Sequence, residues 1–296
     1  MQQCNMANMA AQGRRQSEQR KRRDYTKIFH LPTVPLSTPL APQPHGLQLP
    51  LFDYQRRSLG RMLEIERDGR VNLPLGGLGA EREFCFRGGV VADEVGMGKT
   101  AQLIALFLAS PREPGTPGSL VITPGHLCAQ WYKEIQKFTN QLRVGMIADP
   151  SAFGANPAAR IQQGCADSDI VITSLEIILA GSGPSSEEIR ARMVRSLLLT
   201  QPWRRLVYDE CHEVIAQSSQ AQQDLLEGLA KASKNVWCVS GTPFPHHDDS
   251  MYGIHQLLGV KYKMHIVNSP FALNKARIHS LILYVNISRA CFKMSD

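Results

Sequence analysis

The sequence lacks any paired cysteine motif. Its seven cysteines stand singly at 4, 85, 128, 165, 211, 238 and 291. Without C-x-x-C spacing, a disulfide framework and a structural zinc site are both poor readings, and a reducing compartment is expected. The chain also lacks an apolar run near the roughly 18 residues that a membrane span requires. The longest lies around Ile104 to Ala109, so no membrane partner is expected. The N-terminus is polar and basic, with no apolar segment of the kind a secretory signal carries. A nuclear location is expected, the cytoplasm being the alternative. A mitochondrial presequence, suggested by many arginines and few acids, is weaker. Aromatic residues are few, and the three tryptophans (Trp131, Trp203, Trp237) read as core or motif-packing residues rather than a base-stacking surface.

Strong charge is missing from most of the chain as well. Residues 1–27 hold seven basic side chains against two acidic ones, so +5 of the formal +7 sits there and only +2 remains for everything else. The basic character therefore belongs to the tail. Its run Arg20-Lys21-Arg22-Arg23 fits a nuclear import signal or a nucleic-acid-binding arm, against the plainer reading of a solvated tail. Six prolines between 32 and 50 preclude a helix and favour an extended, solvated linker. Residues 1–50 thus read as a disordered tail, basic and then Pro-rich, preceding one domain over 51–296.

From Leu51 onward, short β-branched runs alternate with amphipathic stretches. Strands are expected at Gly89 to Ala92, Leu120 to Thr123, Val144 to Ala148, Asp169 to Thr173, Arg205 to Tyr208 and Val236 to Ser240. Helices are expected over 54–67, 99–109, 126–139, 174–180, 186–199 and 220–233. Loops are expected at 73–80, 110–118, 150–158 and 181–186, and no second set of strands in the last fifty residues. Strands separated by helices are βαβ units, hence an α/β fold with a mainly parallel sheet flanked by helices.

The most informative stretch is Gly88-Gly89-Val90-Val91-Ala92-Asp93-Glu94-Val95-Gly96-Met97-Gly98-Lys99-Thr100, an apolar strand entering a glycine loop and then a helix. Gly96 and Gly98 let backbone N–H groups face an anion at a helix N-terminus. Lys99 can reach the β- and γ-phosphates, and the Thr100 hydroxyl can ligate Mg²⁺. The generic pattern has glycine where Asp93 stands, so this is a variant phosphate loop. Arg205-Leu206-Val207-Tyr208 supplies its partner, a strand ending in Asp209 and Glu210. Asp209 is placed to orient the Mg²⁺ hydration shell and Glu210 to polarise an attacking water. Nucleoside triphosphate binding follows.

Ala92 to Thr100 (ADEVGMGKT) resembles the corresponding motif of the Swi/Snf-type DNA-dependent ATPases of helicase superfamily two. Five further motifs follow the family order over about residues 51–260. Leu51-Phe52-Asp53-Tyr54-Gln55 with Met62-Leu63 looks like the upstream glutamine motif, which implies that Gln55 reads the adenine edge. Leu120 to Pro124 with Gln130-Trp131 and Glu134-Ile135 resembles the motif bordering the DNA path. Asp169 to Ser174 matches the strand whose end, at Thr173 and Ser174, contacts a DNA backbone. Asp209-Glu210-Cys211-His212 is similar to the D-E-x-H box, and Ser240-Gly241-Thr242-Pro243 to the motif coupling nucleotide state to DNA contact. Trp237 with that last motif hints at the RING-finger-containing subgroup.

The resemblance implies one RecA-like P-loop NTPase lobe using ATP and Mg²⁺, with double-stranded DNA or chromatin as partner. The nucleotide site would comprise Gln55, Asp93, Glu94, Val95, Gly96, Met97, Gly98, Lys99 and Thr100. Gln130, Trp131, Thr173, Ser174, His212, Ser240, Gly241 and Thr242 would lie on the DNA path or couple to it. Cys211 stands where the family has Ala, a change of little expected effect. The family's second lobe, with its arginine finger, has no counterpart up to Asp296, beyond a faint likeness at Ile287-Ser288-Arg289. It is expected to come from a full-length protein, leaving this chain weakly active or inactive alone. The alternatives are a non-catalytic, truncated nucleotide- or DNA-binding module, or a fragment of a D-E-x-H RNA helicase. Asp93-Glu94 and Gln130-Trp131 favour the DNA type. His246-His247-Asp248-Asp249 reads as a helix start rather than a metal site.

Overall fold

The computed structural model describes residues 34, 36–75, 80–85, 87–149, 157–181, 183–242, 253–258 and 287–288. Helix α1 (Asp53–Asp68) leads into an antiparallel pair, β1 (Arg70–Leu75) and β2 (Ala80–Cys85). Then come β3 (Gly88–Val91), α2 (Lys99–Ala109), β4 (Ser119–Thr123), α3 (Gly125–Phe138), β5 (Val144–Ile147), α4 (Pro157–Asp167) and β6 (Ile170–Ser174). The order continues with α5 (Leu175–Ile178), α6 (Ser186–Leu199), β7 (Arg205–Tyr208), α7 (Cys211–Gln217), α8 (Gln220–Ala232), β8 (Asn235–Val239) and β9 (Ile287–Ser288).

Seven strands form one sheet in the order β5-β6-β4-β7-β8-β3-β9, and every pair is parallel. The strand residues from β4, β6, β7 and β8 are buried throughout, as a sheet covered on both faces requires. Alternation divides them. Val121, Ile170, Ile172, Val207, Trp237 and Val239 join Leu59 and Met62 of α1, Leu103 to Phe107 of α2, and Cys128, Trp131 and Ile135 of α3 in one apolar cluster. Their strand neighbours point to the opposite face, where the Tyr208 hydroxyl donates to the Leu226 carbonyl of α8 at 2.9 Å. The expected α/β lobe with its parallel sheet is what the chain forms.

Three expectations are corrected. Residues 36–50 pass through turns and are not a solvated linker. Ala41 and Leu47 enter the apolar cluster, and Gln48 N–H donates to Phe138 O at 2.8 Å. Prolines remove helical options, yet helix α1 supplies donors for the freed carbonyls: Arg56 Nε to Ala41 O (2.9 Å), and Arg57 Nη1 to Leu36 O and Thr38 O (2.8 and 2.9 Å). The expected loop at 73–80 is a hairpin whose strands run to Leu75 and from Ala80. Of the expected loop at 150–158, residues 150–156 lie outside the described residues, and α4 begins at Pro157, proline being favoured at a first helical position. In the last fifty residues the described Ile287–Ser288 adds a parallel strand beside β3. Residues 1–33, including the basic tail, and His246 to Asp249 lie outside the described residues. Among the described residues, no helix is long and apolar enough to cross a membrane.

Candidate nucleotide site

Three adjacent strands, β7, β8 and β3, end at the same edge of the sheet, each followed by one expected motif. Ligands of open α/β sheets bind outside these carboxyl ends. After β3, the chain bends through Gly96 (φ 85°) and Gly98 (φ 72°), backbone regions in which a Cβ is strained. Gly98 caps α2, whose first turn carries no acidic residue and begins with Lys99. An anion there meets free N–H groups, the positive end of the helix and an ammonium. The Lys99 ammonium folds back onto the carbonyl oxygens of Asp93 (3.1 Å) and Glu94 (3.2 Å). Thr100 is half-buried in the same turn, and Glu94 and Val95 are exposed.

The loop is anchored from behind. Met97 O accepts from the Tyr54 hydroxyl and from Gln55 Nε2, each at 3.2 Å, while Gln55 Oε1 accepts from Phe52 N–H at 3.0 Å. Asp93 is fully buried, and its Oδ2 accepts from Gln102 Nε2 at 2.7 Å. The residue that replaces the generic glycine therefore clamps the loop to α2. Gln102 is a site residue that sequence reasoning missed. Its place one turn beyond Gly98 was the available signal.

Asp209 N–H continues the sheet by donating to Ile122 O at 2.9 Å. One carboxylate oxygen, Oδ2, receives the Thr123 hydroxyl at 3.0 Å and the Trp131 indole N–H at 2.6 Å. Burial pushes the Asp209 carboxyl above its ordinary range, opposed by those two donors, by the Glu210 N–H and by Lys99. Glu210, at φ 46°, is the one non-glycine residue with positive φ among the described residues. Burial and then the neighbouring Asp209 charge raise its carboxyl too. His212 Nδ1 lies 3.2 Å from Glu210 Oε2 and 2.8 Å from the Ser240 hydroxyl, which also accepts from Thr242 N–H at 3.0 Å. Gly241 closes the circle: a Cβ there would stand 2.9 Å from Val95 Cγ2 and 3.5 Å from Lys99 Nζ.

The residues expected on the DNA path separate. Gln130 is exposed on α3, whereas Trp131 is buried against Asp209 and presents no surface. Thr173 is fully buried with its hydroxyl on Ile147 O at 2.9 Å, and Ser174 caps α5 by accepting from Ile177 N–H at 3.3 Å.

These residues fit a magnesium nucleotide. The carbonyl-bound Lys99 ammonium and the α2 N-terminus are suited to phosphate. Among the described residues no group of three His, Cys, Asp or Glu side chains forms a metal cage, and Mg²⁺ takes one or two protein ligands with phosphates and waters instead.

The family model described as SNF2-related domain matches residues 54–267. The chain is 39% identical over 143 residues to DNA (cytosine-5-)-methyltransferase DMT5 of Cryptococcus neoformans, covering 39% of this chain and 6% of that protein. It is 30% identical to the ATP-dependent helicase rhp16 of Schizosaccharomyces pombe, covering 60% of this chain and 20% of rhp16. The solved Sulfolobus solfataricus SWI2/SNF2 ATPase core, in complex with double-stranded DNA, shares its fold with a TM-score of 0.58 at 23% identity, over 84% of this chain and 46% of that one. The chain thus spans well under half the length of these curated relatives.

Proposed function

Because the chain belongs to the SNF2-related domain family, matched over residues 54–267, we propose that it is the ATP-binding lobe of a DNA-dependent ATPase. Hydrolysis of Mg·ATP would drive movement along duplex DNA in the complete protein. The observation that carries this reading is the convergence of Lys99, Asp209-Glu210 and Ser240-Gly241-Thr242 at the ends of three neighbouring strands, with Gly241 packed on the lysine loop.

Each residue has a distinct task. Gln55 retains one amide hydrogen and one lone pair beyond its bonds to Met97 and Phe52, enough to hold an adenine edge. Backbone N–H groups of the Gly96–Thr100 turn, apart from that of Met97, which donates to Glu94 O at 3.2 Å, and the Lys99 ammonium hold phosphate oxygens. Thr100 and Asp209 would hold the metal. When bound, Mg²⁺ supplies charge neutralisation across the triphosphate. Glu210 accepts the proton of the attacking water, and its raised basicity suits that task. His212 links Glu210 to Ser240, so a change at the carboxylate reaches the Gly241-Thr242 turn without leaving this sheet edge.

Lys99 faces both Asp209 and Glu210, and the His212 imidazole lies beside Glu210. An arginine from a second lobe would complete the site, a contribution worth about 10³–10⁵ in rate in other phosphoryl-transfer enzymes. The DNA partner is supported by the solved core's complex with double-stranded DNA. Chromatin as the natural form of that DNA, and a nuclear location, extend the reading through relatives such as the chromatin-remodelling ATPase ISW1 of Saccharomyces cerevisiae.

Equilibrium binding of a fluorescent ATP analogue tests the site. Binding by the chain and its loss in Lys99→Ala are expected; equal affinity in a folded Lys99→Ala variant overturns the phosphate site. ATP turnover with and without duplex DNA separates a motor lobe from a non-catalytic binding module.

A further inference from the structure

The Asp209 carboxylate accepts hydrogen bonds from the side chains of Thr123 and Trp131 and from the Glu210 backbone N–H. Thr123 is the last residue of β4 and Trp131 lies two turns into α3, so the β4–α3 connection wraps the carboxylate that ends β7. Both side chains meet the same oxygen, Oδ2, at 3.0 and 2.6 Å. Neither of these two side chains bonds Oδ1. Trp131 is 3% exposed and Thr123 fully buried, so water cannot substitute for either donor. A neutral N–H and a neutral O–H fix the direction of a carboxylate without cancelling its charge, unlike a lysine or arginine in the same place. Outer-shell donors of this kind orient metal-binding carboxylates and influence affinity strongly.

We infer that Trp131, with Thr123, is a positioning residue of the metal site: the pair takes up Asp209 Oδ2 so that Oδ1 faces the Mg²⁺ hydration shell. The inference rests on the nucleotide-site reading above and names what that reading leaves open, which groups hold the metal-side carboxylate. It also moves Trp131 from the DNA path to the interior of the nucleotide site. Trp203 offers the contrast, since its indole N–H goes to the Leu198 carbonyl at 2.8 Å, an ordinary backbone contact remote from any motif.

The test uses the full chain and a fluorescent ATP analogue, titrated with Mg²⁺ and, separately, bound in excess EDTA. Trp131→Phe keeps the ring packing and removes the N–H; Thr123→Val keeps the shape and removes the hydroxyl. Circular dichroism and thermal unfolding establish that each variant is folded. We expect the half-saturating Mg²⁺ concentration to rise in Trp131→Phe on the order of 10-fold or more, with a smaller rise in Thr123→Val and unchanged affinity in EDTA. In the ¹⁵N-labelled chain the indole resonance absent from Trp131→Phe should shift on adding Mg²⁺ and nucleotide to wild type. If Trp131→Phe fails to fold, Thr123→Val alone decides. Variants that bind nucleotide with an unchanged Mg²⁺ requirement overturn the inference and leave the nucleotide site standing. Equal losses with and without Mg²⁺ also overturn it, because they mark a packing role. A wild-type chain that binds no nucleotide overturns the reading on which it rests.

Discussion

Glu210 combines a strained backbone with a half-buried carboxylate. A non-glycine residue at φ 46° costs on the order of 1–3 kcal/mol and persists where its surroundings over-determine it. Here the Glu213 N–H donates to its carbonyl at 2.7 Å and His212 Nδ1 meets its carboxylate at 3.2 Å. If Glu210 is the proton acceptor, Glu210→Gln should retain nucleotide binding while turnover falls by about 10²–10⁴; full turnover in that variant would remove Glu210 from the mechanism. The pH dependence follows from its raised carboxyl. The acceptor must be ionised, so kcat/KM falls as pH drops through the raised value. The acidic limb should therefore lie above the roughly pH 4.3 of an ordinary glutamate, and should be absent from whatever turnover Glu210→Gln retains. Lys99, Asp209 and Glu210 were legible in the sequence because each sits in a local strand-to-loop transition that any few residues display. The Trp131 and Thr123 bonds to Asp209 span 78 and 86 positions, and no periodicity records a contact made only by folding.

Between elements, α1 is tied to the amino end of the sheet by a buried ion pair. Arg205, the first residue of β7, and Glu66, in the last turn of α1, have side chains 1% and 5% exposed. Arg205 Nε donates to Glu66 Oε1 at 2.6 Å, the Trp237 indole N–H of β8 donates to the same oxygen at 3.0 Å, and the guanidinium lies 5.9 Å from the Phe107 ring centre of α2. Replacing one partner leaves a buried charge uncompensated. Glu66→Ala should therefore lower unfolding free energy by about 3–5 kcal/mol, whereas Glu66→Leu combined with Arg205→Met should recover most of the loss. Urea unfolding of the three chains checks this, and an equally unstable double variant would locate the cost in packing instead. This tie explains why the strand and helix pattern was legible while its joints were not. The apolar runs of β3 through β8 and the 3.6-residue periods of α1, α2, α3, α6 and α8 are local signals. Helix α7 is seven residues long and starts from a left-handed Glu210, which a periodicity reading passes over. The Pro-rich segment at 36–50 defeated composition for a related reason: much of its order comes from Arg56, Arg57 and Phe138, far along the chain.

At the scale of the whole molecule, charge and fold are separate. Of the formal +7, +5 lies in residues 1–27, so the lobe carrying the nucleotide site is nearly neutral. A nearly neutral surface that grips a DNA backbone must do so with few, well-placed contacts, and its affinity should then respond weakly to salt. A basic tail in contact with phosphates adds steep salt dependence, each neutralised phosphate contributing about 0.9 to the slope of log K against log salt. Changing Arg20, Lys21, Arg22 and Arg23 together to alanine should therefore reduce that slope by up to about 3.6 in duplex-DNA binding by the full chain. Nucleotide affinity should stay unchanged, because the phosphate loop is anchored by Gln55, Tyr54 and Gln102 within the lobe. Fluorescence anisotropy across a salt series measures the first and the ATP analogue the second. An unchanged slope would assign the phosphate contacts to the lobe itself and leave the tail an address rather than an arm. A parallel loss of nucleotide affinity would instead couple the tail to the site.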